Sequence, residues 1–314
     1  MKFSLNGKKK RFAETNLLIV VLCIVVLLSI FTDSFLKSTN LRNLVRQTSI
    51  NGIIALGMTF VIITGGIDLS VGAIVGVASI VSAQLMVSGM PVFPVLLITA
   101  AVGCLIGLVN GAIIEYGRVP PFIATLGMME AARGMVMLLS NARMISGLPA
   151  GFTGFSQILI IGLPSLFFVW LVLIVITYFI SAQTVFGRNV FAYGSNIEAT
   201  RLSGVNTSRI TLCVYSLCGL LSGVAGILLT SRLGNGIPTA GQGYEMDAIA
   251  AAVVGGASLS GGSGSIVGTV LGAFLIALIE NGGNLLGVNS FILEIIVGAI
   301  IVGSVWFDQI QKSK

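Results

Sequence analysis

Apolar positions along this chain form long, nearly uninterrupted runs, unlike the short alternations of a half-buried strand or the narrow stripe of a soluble helix. Each run approaches the about 20 residues that a helix needs to cross a bilayer. Polar or glycine-rich segments separate the runs. The pattern predicts about ten transmembrane helices, over residues 15–35, 48–64, 70–88, 94–114, 121–140, 156–180, 210–231, 245–258, 265–280 and 290–306.

Composition supports a membrane protein without a soluble domain. Of the 314 residues, 55% are hydrophobic and 9% are charged, whereas soluble domains carry about 25% charged residues. We therefore expect an all-α integral membrane protein, a polytopic bundle that forms a single domain over residues 1–314. The chain has no histidine, which excludes His-based catalysis and most zinc sites. Its four cysteines lie within apolar runs at spacings that match no metal motif.

The basic residues predict the orientation. Lys8 to Arg11 form a cationic cluster just before the first apolar run, as expected for a cytoplasmic segment. If the tail 1–14 is cytoplasmic, 11 of the 17 Lys and Arg residues fall in inside segments and five in outside segments. Both termini and the polar segment 181–209 are then cytoplasmic. The net charge of +6 reflects this topology, and we expect no nucleic-acid partner.

The segment 181–209 is too long for a tight turn, and ordered loops of this length are usually functional. Its centre, residues 196–202, contains good helix formers and is followed by Gly204, a typical helix stop. The segment therefore predicts a short helix across the cytoplasmic face. Either a docking element or a solvated linker helix fits this pattern.

Two glycine-rich breaks repeat one pattern. GGIDLSVG begins at Gly65 and Gly66, and GGASLSGG begins 190 residues later, at Gly255 and Gly256. Apolar segments interrupted at corresponding positions point to a transport site. A pair of tight turns, or a packing repeat, is the alternative.

Polar side chains near apolar runs are the remaining candidates. Asp68 and Asp247 are candidates for a substrate path, because charges at such positions usually face the protein interior, although both are also placed to cap helices. Asn281 and Asn284 offer amides suited to hydroxyl groups. Glycines spaced by four predict helix faces that pack closely; they are Gly103, Gly107 and Gly111, then Gly219 and Gly223, then Gly264, Gly268 and Gly272.

Several sequence blocks together suggest a family. They read QTSINGIIALGMTFVIITGGIDLSVG at 47–72, GRVPPFIATLGMM at 117–129, YGSNIEATRLSGVN at 193–206 and PTAGQGYEMDAIAAAVVGGASLSGGSGSIVGTVLGA at 238–273. In order and spread over nearly the whole chain, these blocks resemble the sugar-type membrane permeases of bacterial ATP-binding-cassette importers, most closely those for ribose.

The resemblance implies a multi-pass permease of the bacterial inner membrane, embedded in lipid. It would import a monosaccharide that an extracytoplasmic binding protein delivers. A second permease copy, or a related permease, would complete the membrane part. The chain lacks the G-x-x-x-x-G-K-[ST] phosphate loop, so a partner ATPase would bind ATP and magnesium. We expect no cofactor in this chain and no enzymatic activity of its own.

The resemblance also implies a role for the predicted short helix. Importer permeases carry a Glu-Ala-Ala-x-x-x-Gly element that docks in a cleft of the ATPase. Glu198, Ala199 and Gly204 keep that spacing, with Thr200 in place of the second alanine. The expected ATPase-coupling residues are Asn196, Glu198, Ala199, Thr200, Arg201 and Gly204.

Other functions remain open from the sequence. An ion-coupled secondary transporter would use the intramembrane acids as proton carriers, and a non-transporting membrane scaffold would need none of these features. Within the importer family, autoinducer furanose, xylose and galactose are alternative substrates.

Overall fold

The structure, a computed structural model, describes residues 3–313, and it describes the side chains of residues 14–306 and 310. The cationic cluster Lys8 to Arg11, together with Lys312 and Lys314, therefore lies outside the described side chains. The orientation that rests on these charges stays a prediction.

Helices dominate the described residues, with a single two-stranded hairpin between them. In chain order the elements are α1 (Phe3–Phe31), α2 (Ser38–Ile63), α3 (Val71–Val87), α4 (Val92–Glu115), α5 (Pro121–Ser140), α6 (Ala150–Phe155), β1 (Leu159–Ile160), β2 (Leu163–Pro164), α7 (Ser165–Gln183), α8 (Val185–Ser195), α9 (Ile197–Leu202), α10 (Thr207–Leu233), α11 (Tyr244–Val254), α12 (Ile266–Leu285) and α13 (Ser290–Ser313). The strands are antiparallel, with Leu159 opposite Pro164.

Candidate membrane-spanning helices are present, and the number of about ten stays a prediction. Within the described residues, seven helices are long and apolar enough to cross a bilayer: α1 from Glu14, α2, α4, α5, α7, α10 and α12. Helix α3 and residues 290–306 of α13 are shorter apolar helices. Helix α11 has 11 residues and is about 16 Å long, about half the thickness of the hydrocarbon core.

Helix α2 is the centre of the bundle. Every residue from Thr48 to Ile63 is buried, against α7, α10, α11 and α12. The predicted start at residue 48 is wrong, because the helix begins at Ser38. Its polar first turns are accommodated by hydrogen bonds, such as those from Arg46 to the backbone carbonyl of Ser156 (3.0 Å) and to the side chain of Gln157 (3.1 Å).

The predicted span 156–180 is also wrong at its start. Residues 159–164 form the hairpin, whose turn contains Ile161 (φ 53°) and Gly162 (φ 81°). Helix α7 begins only after Pro164, which occupies the N-cap position. Apolar side chains extended the hydrophobic pattern into this segment, but its backbone turns back on itself.

Glycines bring the backbones of α4 and α10 together, as their spacing predicted. A β-carbon on Gly103 would lie 2.5 Å from the backbone oxygen of Gly219 and 2.9 Å from the α-carbon of Gly223. One on Gly272 would lie 3.2 Å from the α-carbon of Ala251, which shows the same close approach between α11 and α12. Small residues permit this distance between helices in a membrane.

The bundle has two distinct ends. At the one we call the junction end, the hydroxyl of Ser265, before α12, donates to Glu14 of α1 (2.5 Å), and the end of α2 meets the segment 255–265. At the other, the hairpin end, the start of α2 meets the end of α12 and residues 156–157.

Candidate functional site

A polar cavity of about 840 Å³ opens at the hairpin end. The first turns of α11 line one side, the last turns of α12 and the first half of α13 line the others, and α2 contributes one residue. The lining consists of Gln47, Gln242, Gly243, Tyr244, Glu245, Met246, Asp247, Glu280, Asn284, Ser290, Leu293, Glu294, Val297, Gly298 and Ile301.

A hydrogen-bonded network joins α2, α11 and α12 at this cavity. Gln47 donates through Nε2 to Oε2 of Glu280 (2.8 Å), and Asn51 donates through Nδ2 to Oδ2 of Asp247 (3.1 Å). Asp247 and Glu280 themselves both line the cavity. Helix α2 is therefore bonded to an acid of α11 and to an acid of α12.

The lining combines hydroxyl-binding groups with an apolar wall. Carboxylate and amide groups accept and donate hydrogen bonds to hydroxyls, whereas Leu293, Val297 and Ile301 present aliphatic surface. Of the residues that line the cavity, none is Lys or Arg. The cavity is therefore chemically suited to a neutral polyhydroxyl compound and disfavours an anion.

Of the polar residues predicted to line a substrate path, two lie at this cavity and a third is hydrogen-bonded to another residue outside it. Asp247 and Asn284 line it. Asn281 instead exchanges hydrogen bonds with Asn40, as donor (2.8 Å) and as acceptor (3.0 Å). Gln47 and Glu280 were not predicted: Glu280 is visible in the sequence as an acid within an apolar run, but the helix that faces it is not.

Asp68 lies away from the cavity, in the interior near the end of α2. It is fully buried, and its Oδ1 accepts hydrogen bonds from the amide (2.9 Å) and hydroxyl (2.6 Å) of Ser70. Asn110 of α4 donates to the same hydroxyl (2.8 Å). Asp68 thus fixes the turn before α3. Asp247 instead contacts Asn51, which lies 12 residues, or about 18 Å of helix, before the end of α2.

Each glycine-rich break ends a helix with the same backbone turn. In each, a glycine with positive φ donates its amide to the carbonyl three residues back, and the next amide bonds to the carbonyl five residues back. This is the Schellman arrangement, centred on Gly65 (φ 78°) and on Gly256 (φ 92°). Gly65 and Gly256 are 191 residues apart, whereas the two sequence motifs are 190 residues apart. The difference of one arises because Gly255, the first glycine of the second pair, still has helical backbone angles.

The side-chain turns that follow keep the sequence offset of 190. Oγ of Ser258 accepts from the amide of Ser260 (3.3 Å), just as Asp68 accepts from Ser70. The structure also brings the two breaks together: the amide of Gly262 donates to the carbonyl of Ile63 (2.8 Å).

The polar loop between α7 and α10 contains two helices. The short helix predicted within 196–202 is α9, capped by the Asn196 side chain, which accepts from the amide of Ala199 (2.9 Å). Gly204 follows with φ 79°. Helix α8, directly before it, was not predicted.

The surface of α9 is mixed in character. Asn196, Glu198, Ala199, Arg201 and Gly204 are exposed, whereas Thr200 is buried and faces the protein. Two apolar side chains are also exposed, Leu202 at 87% and Ile197 at 47%. Both belong to a loop outside the apolar spans, so their apolar surface is available to a partner. Ile197 precedes the Glu-Ala-Ala-x-x-x-Gly pattern and Leu202 occupies one of its unspecified positions, so the sequence did not single them out.

Similarity to known proteins covers nearly the whole chain. Residues 40–305 match the family described as branched-chain amino acid transport system / permease component. The chain is 44% identical over 288 residues to "Ribose import permease protein RbsC" of Bacillus subtilis (strain 168), covering 91% of this chain and 89% of that protein. It is 41% identical over 304 residues to the protein of the same name from Escherichia coli (strain K12), with coverages of 94% and 93%. "Xylose transport system permease protein XylH" of Haemophilus influenzae (strain ATCC 51907 / DSM 11121 / KW20 / Rd) is 35% identical over 361 aligned positions, with coverages of 95% and 96%. No solved structure matches the chain.

Proposed function

Because this chain belongs to the branched-chain amino acid transport system / permease component family, we propose that it is the membrane-spanning permease subunit of an ATP-driven monosaccharide importer, with ribose as its substrate. Whole-length similarity to two ribose import permeases supports ribose over xylose, whose permease is less similar.

The polar cavity is the main structural observation in favour of a sugar substrate. Its carboxylate and amide groups suit the hydroxyls of a neutral sugar, and Leu293, Val297 and Ile301 suit the apolar faces of a sugar ring. A branched-chain amino acid, which the family description names, has an ammonium group that the acids of the lining could pair with, but also a carboxylate. None of the residues that line the cavity is a Lys or Arg that could pair with that carboxylate, so the cavity favours the uncharged sugar.

The predicted orientation determines the side of the membrane to which the cavity opens. With both termini and the loop 181–209 in the cytoplasm of a bacterial cell, the hairpin end faces outward, where a binding protein would deliver the sugar. Asp247 and Asn284 then belong to the entrance of the path, and the glycine breaks at Gly65, Gly66, Gly255 and Gly256 belong to its cytoplasmic end. Transport would alternate between outward and inward access.

Helix α9 is the proposed docking element for the ATPase. Leu202 and Ile197 offer an exposed apolar centre, and Glu198 and Arg201 flank it with charge. Such an arrangement is typical of the core and rim of an interface. ATP and magnesium would be bound by the ATPase, and a second permease copy or a relative would complete the complex in the membrane.

A second candidate is a proton-coupled secondary sugar transporter, which one observation favours. Four acids line the cavity: Glu245, Asp247, Glu280 and Glu294. In such a transporter one of them would carry the proton that moves with the substrate.

Reconstitution separates the two candidates. The permease, a co-expressed ATPase and a sugar-binding protein would be placed in liposomes, and uptake of labelled ribose and xylose would be measured with and without ATP. If the protein is part of an ATP-driven importer, uptake requires ATP. Uptake then continues when ionophores abolish the membrane potential and the proton gradient at constant ATP. Uptake by the permease alone, driven by a proton gradient, would support the secondary transporter instead.

A further inference from the structure

Three segments distant in sequence meet at the junction end through their backbones. They are the end of α2 at Ile63 and Gly65, the end of α8 at Gly194, and Gly261 and Gly262 in the loop between α11 and α12. We call this set the glycine junction. Its central hydrogen bond runs from the amide of Gly262 to the carbonyl of Ile63 (2.8 Å).

The contacts leave no room for side chains. A β-carbon on Gly194 would lie 2.6 Å from the amide nitrogen of Gly262 and closer still to the carbonyl oxygen of Ile63. A β-carbon on Gly261 would lie 2.7 Å from the carbonyl oxygen of Gly194 and 3.2 Å from the amide nitrogen of Gly65. Side chains can adjust a contact by changing rotamer, but a backbone contact has no such freedom.

The junction is rigidly connected to the proposed docking helix. One residue, Asn196, separates α8 from α9, and it is hydrogen-bonded to both. Its amide donates to the carbonyl of Ala192 (3.0 Å), and its side chain accepts from the amide of Ala199 (2.9 Å). A displacement of α9 therefore moves Gly194 as well.

On its other side, the junction continues into the helices of the cavity. Helix α2 runs from Ile63 at the junction to Gln47 at the cavity, a distance of about 24 Å at 1.5 Å per residue. The loop with Gly261 and Gly262 connects α11, which carries Asp247, to α12, which carries Glu280. All three helices that share the cavity's hydrogen-bonded network thus end at or near this junction.

We propose that Gly194, in contact with Ile63 and Gly262, is a positioning residue that transmits the displacement of α9 to α2 and to the α11–α12 loop. The cavity then changes access in step with the ATPase. This inference rests on the proposed function, and it adds the route by which the energy of ATP hydrolysis reaches the substrate path.

Gly194→Ala tests the route with little other disturbance. Gly194 lies within α8, where alanine is the better helix former, so only the contact with the other two segments is affected. The matched control is Gly127→Ala, a glycine inside α5 where an added β-carbon would have no neighbouring atom within 4 Å. Ser195→Leu is a second variant: Ser195 is exposed, and the added bulk would press on Gly262.

The measurement is the number of sugar molecules imported per ATP hydrolysed, in liposomes that contain the whole complex. Gly194→Ala should retain its ATPase and hydrolyse ATP at close to the normal rate. The ratio should fall about fivefold or more, the lower bound for typical couplings between sites. Ser195→Leu should lower the ratio by less, and Gly127→Ala should leave it unchanged.

A purely structural role predicts a different result. Abundance, hydrolysis and uptake would fall together with an unchanged ratio, and that outcome, or a normal ratio in Gly194→Ala, overturns the inference. If Gly194→Ala does not accumulate, a normal ratio in Ser195→Leu overturns it. Absence of ATP-driven uptake by the unaltered complex would instead overturn the proposed function.

Discussion

Replacing Leu202 by alanine should weaken binding of the ATPase chain about 30-fold, which corresponds to about 2 kcal/mol. The side chain lies on α9, outside the apolar spans, and is 87% exposed. Burying a leucine completely contributes about 1.5–3 kcal/mol. Because the permease alone buries so little of Leu202, nearly all of this free energy remains available to a partner, and alanine retains only a small part of it.

The same exposure means that Leu202→Ala should not affect folding of the permease. Affinity would be measured by titrating labelled ATPase against permease in lipid nanodiscs. The control is Ile161→Ala at the tip of the hairpin, which is 94% exposed but at the other end of the bundle, and which should bind the ATPase normally. If Leu202→Ala binds within about twofold of the unaltered protein, a difference of about 0.4 kcal/mol, then α9 does not bury Leu202 against the ATPase.

Three further changes test other parts of the proposal. Ala199→Glu should leave a normal amount of permease in the membrane but abolish copurification of the ATPase and uptake, because burying an unpaired charge costs several kcal/mol. Asp247→Asn should lower sugar uptake about tenfold or more, since hydrogen bonds to charged groups contribute about 1.5–3 kcal/mol, whereas Glu294→Gln should have a smaller effect. A single cysteine at position 196, in an otherwise cysteine-free chain, should resist membrane-impermeant labelling in intact cells and react after permeabilisation.

The contrary outcomes are equally specific. Ala199→Glu with a bound ATPase and normal import would show that α9 is not the coupling element. Equal uptake by Asp247→Asn and Glu294→Gln, at matched abundance, would remove Asp247 from the path. Ready labelling of position 196 in intact cells would invert the orientation and place the cavity on the cytoplasmic side.

Local sequence patterns predicted the helices and the tight packing between them. Hydrophobic runs indicate membrane helices because each residue within the bilayer must keep its backbone hydrogen-bonded inside the protein. The four-residue spacing of Gly103, Gly107 and Gly111 indicates one helix face. The start of α2 was missed because its polar residues are stabilised by distant partners: Asn40 bonds Asn281, and the sequence does not show that pairing.

The candidate site was predicted less completely, for a related reason. Asp247 could be selected from its own surroundings, but the cavity depends on Gln47 and Glu280 approaching it from two other helices. Leu202 looked like an ordinary helix-forming residue, because a hydropathy pattern cannot distinguish an apolar side chain that packs inward from one that faces water.

The contact between α4 and α10 has a consequence for how the protein is made. Gly103 and Gly219, which touch in the finished bundle, are about 120 residues apart, so at synthesis rates of about 5–20 residues per second α4 leaves the ribosome roughly 6–24 s before its partner. During that interval the glycine face of α4 meets lipid or the insertion machinery, and α2 lacks the neighbours that enclose its polar residues. Slow codons or ribosome pausing before residue 207 should therefore prolong the stage at which quality-control proteases can remove the nascent chain, even though the sequence of the mature protein is unchanged.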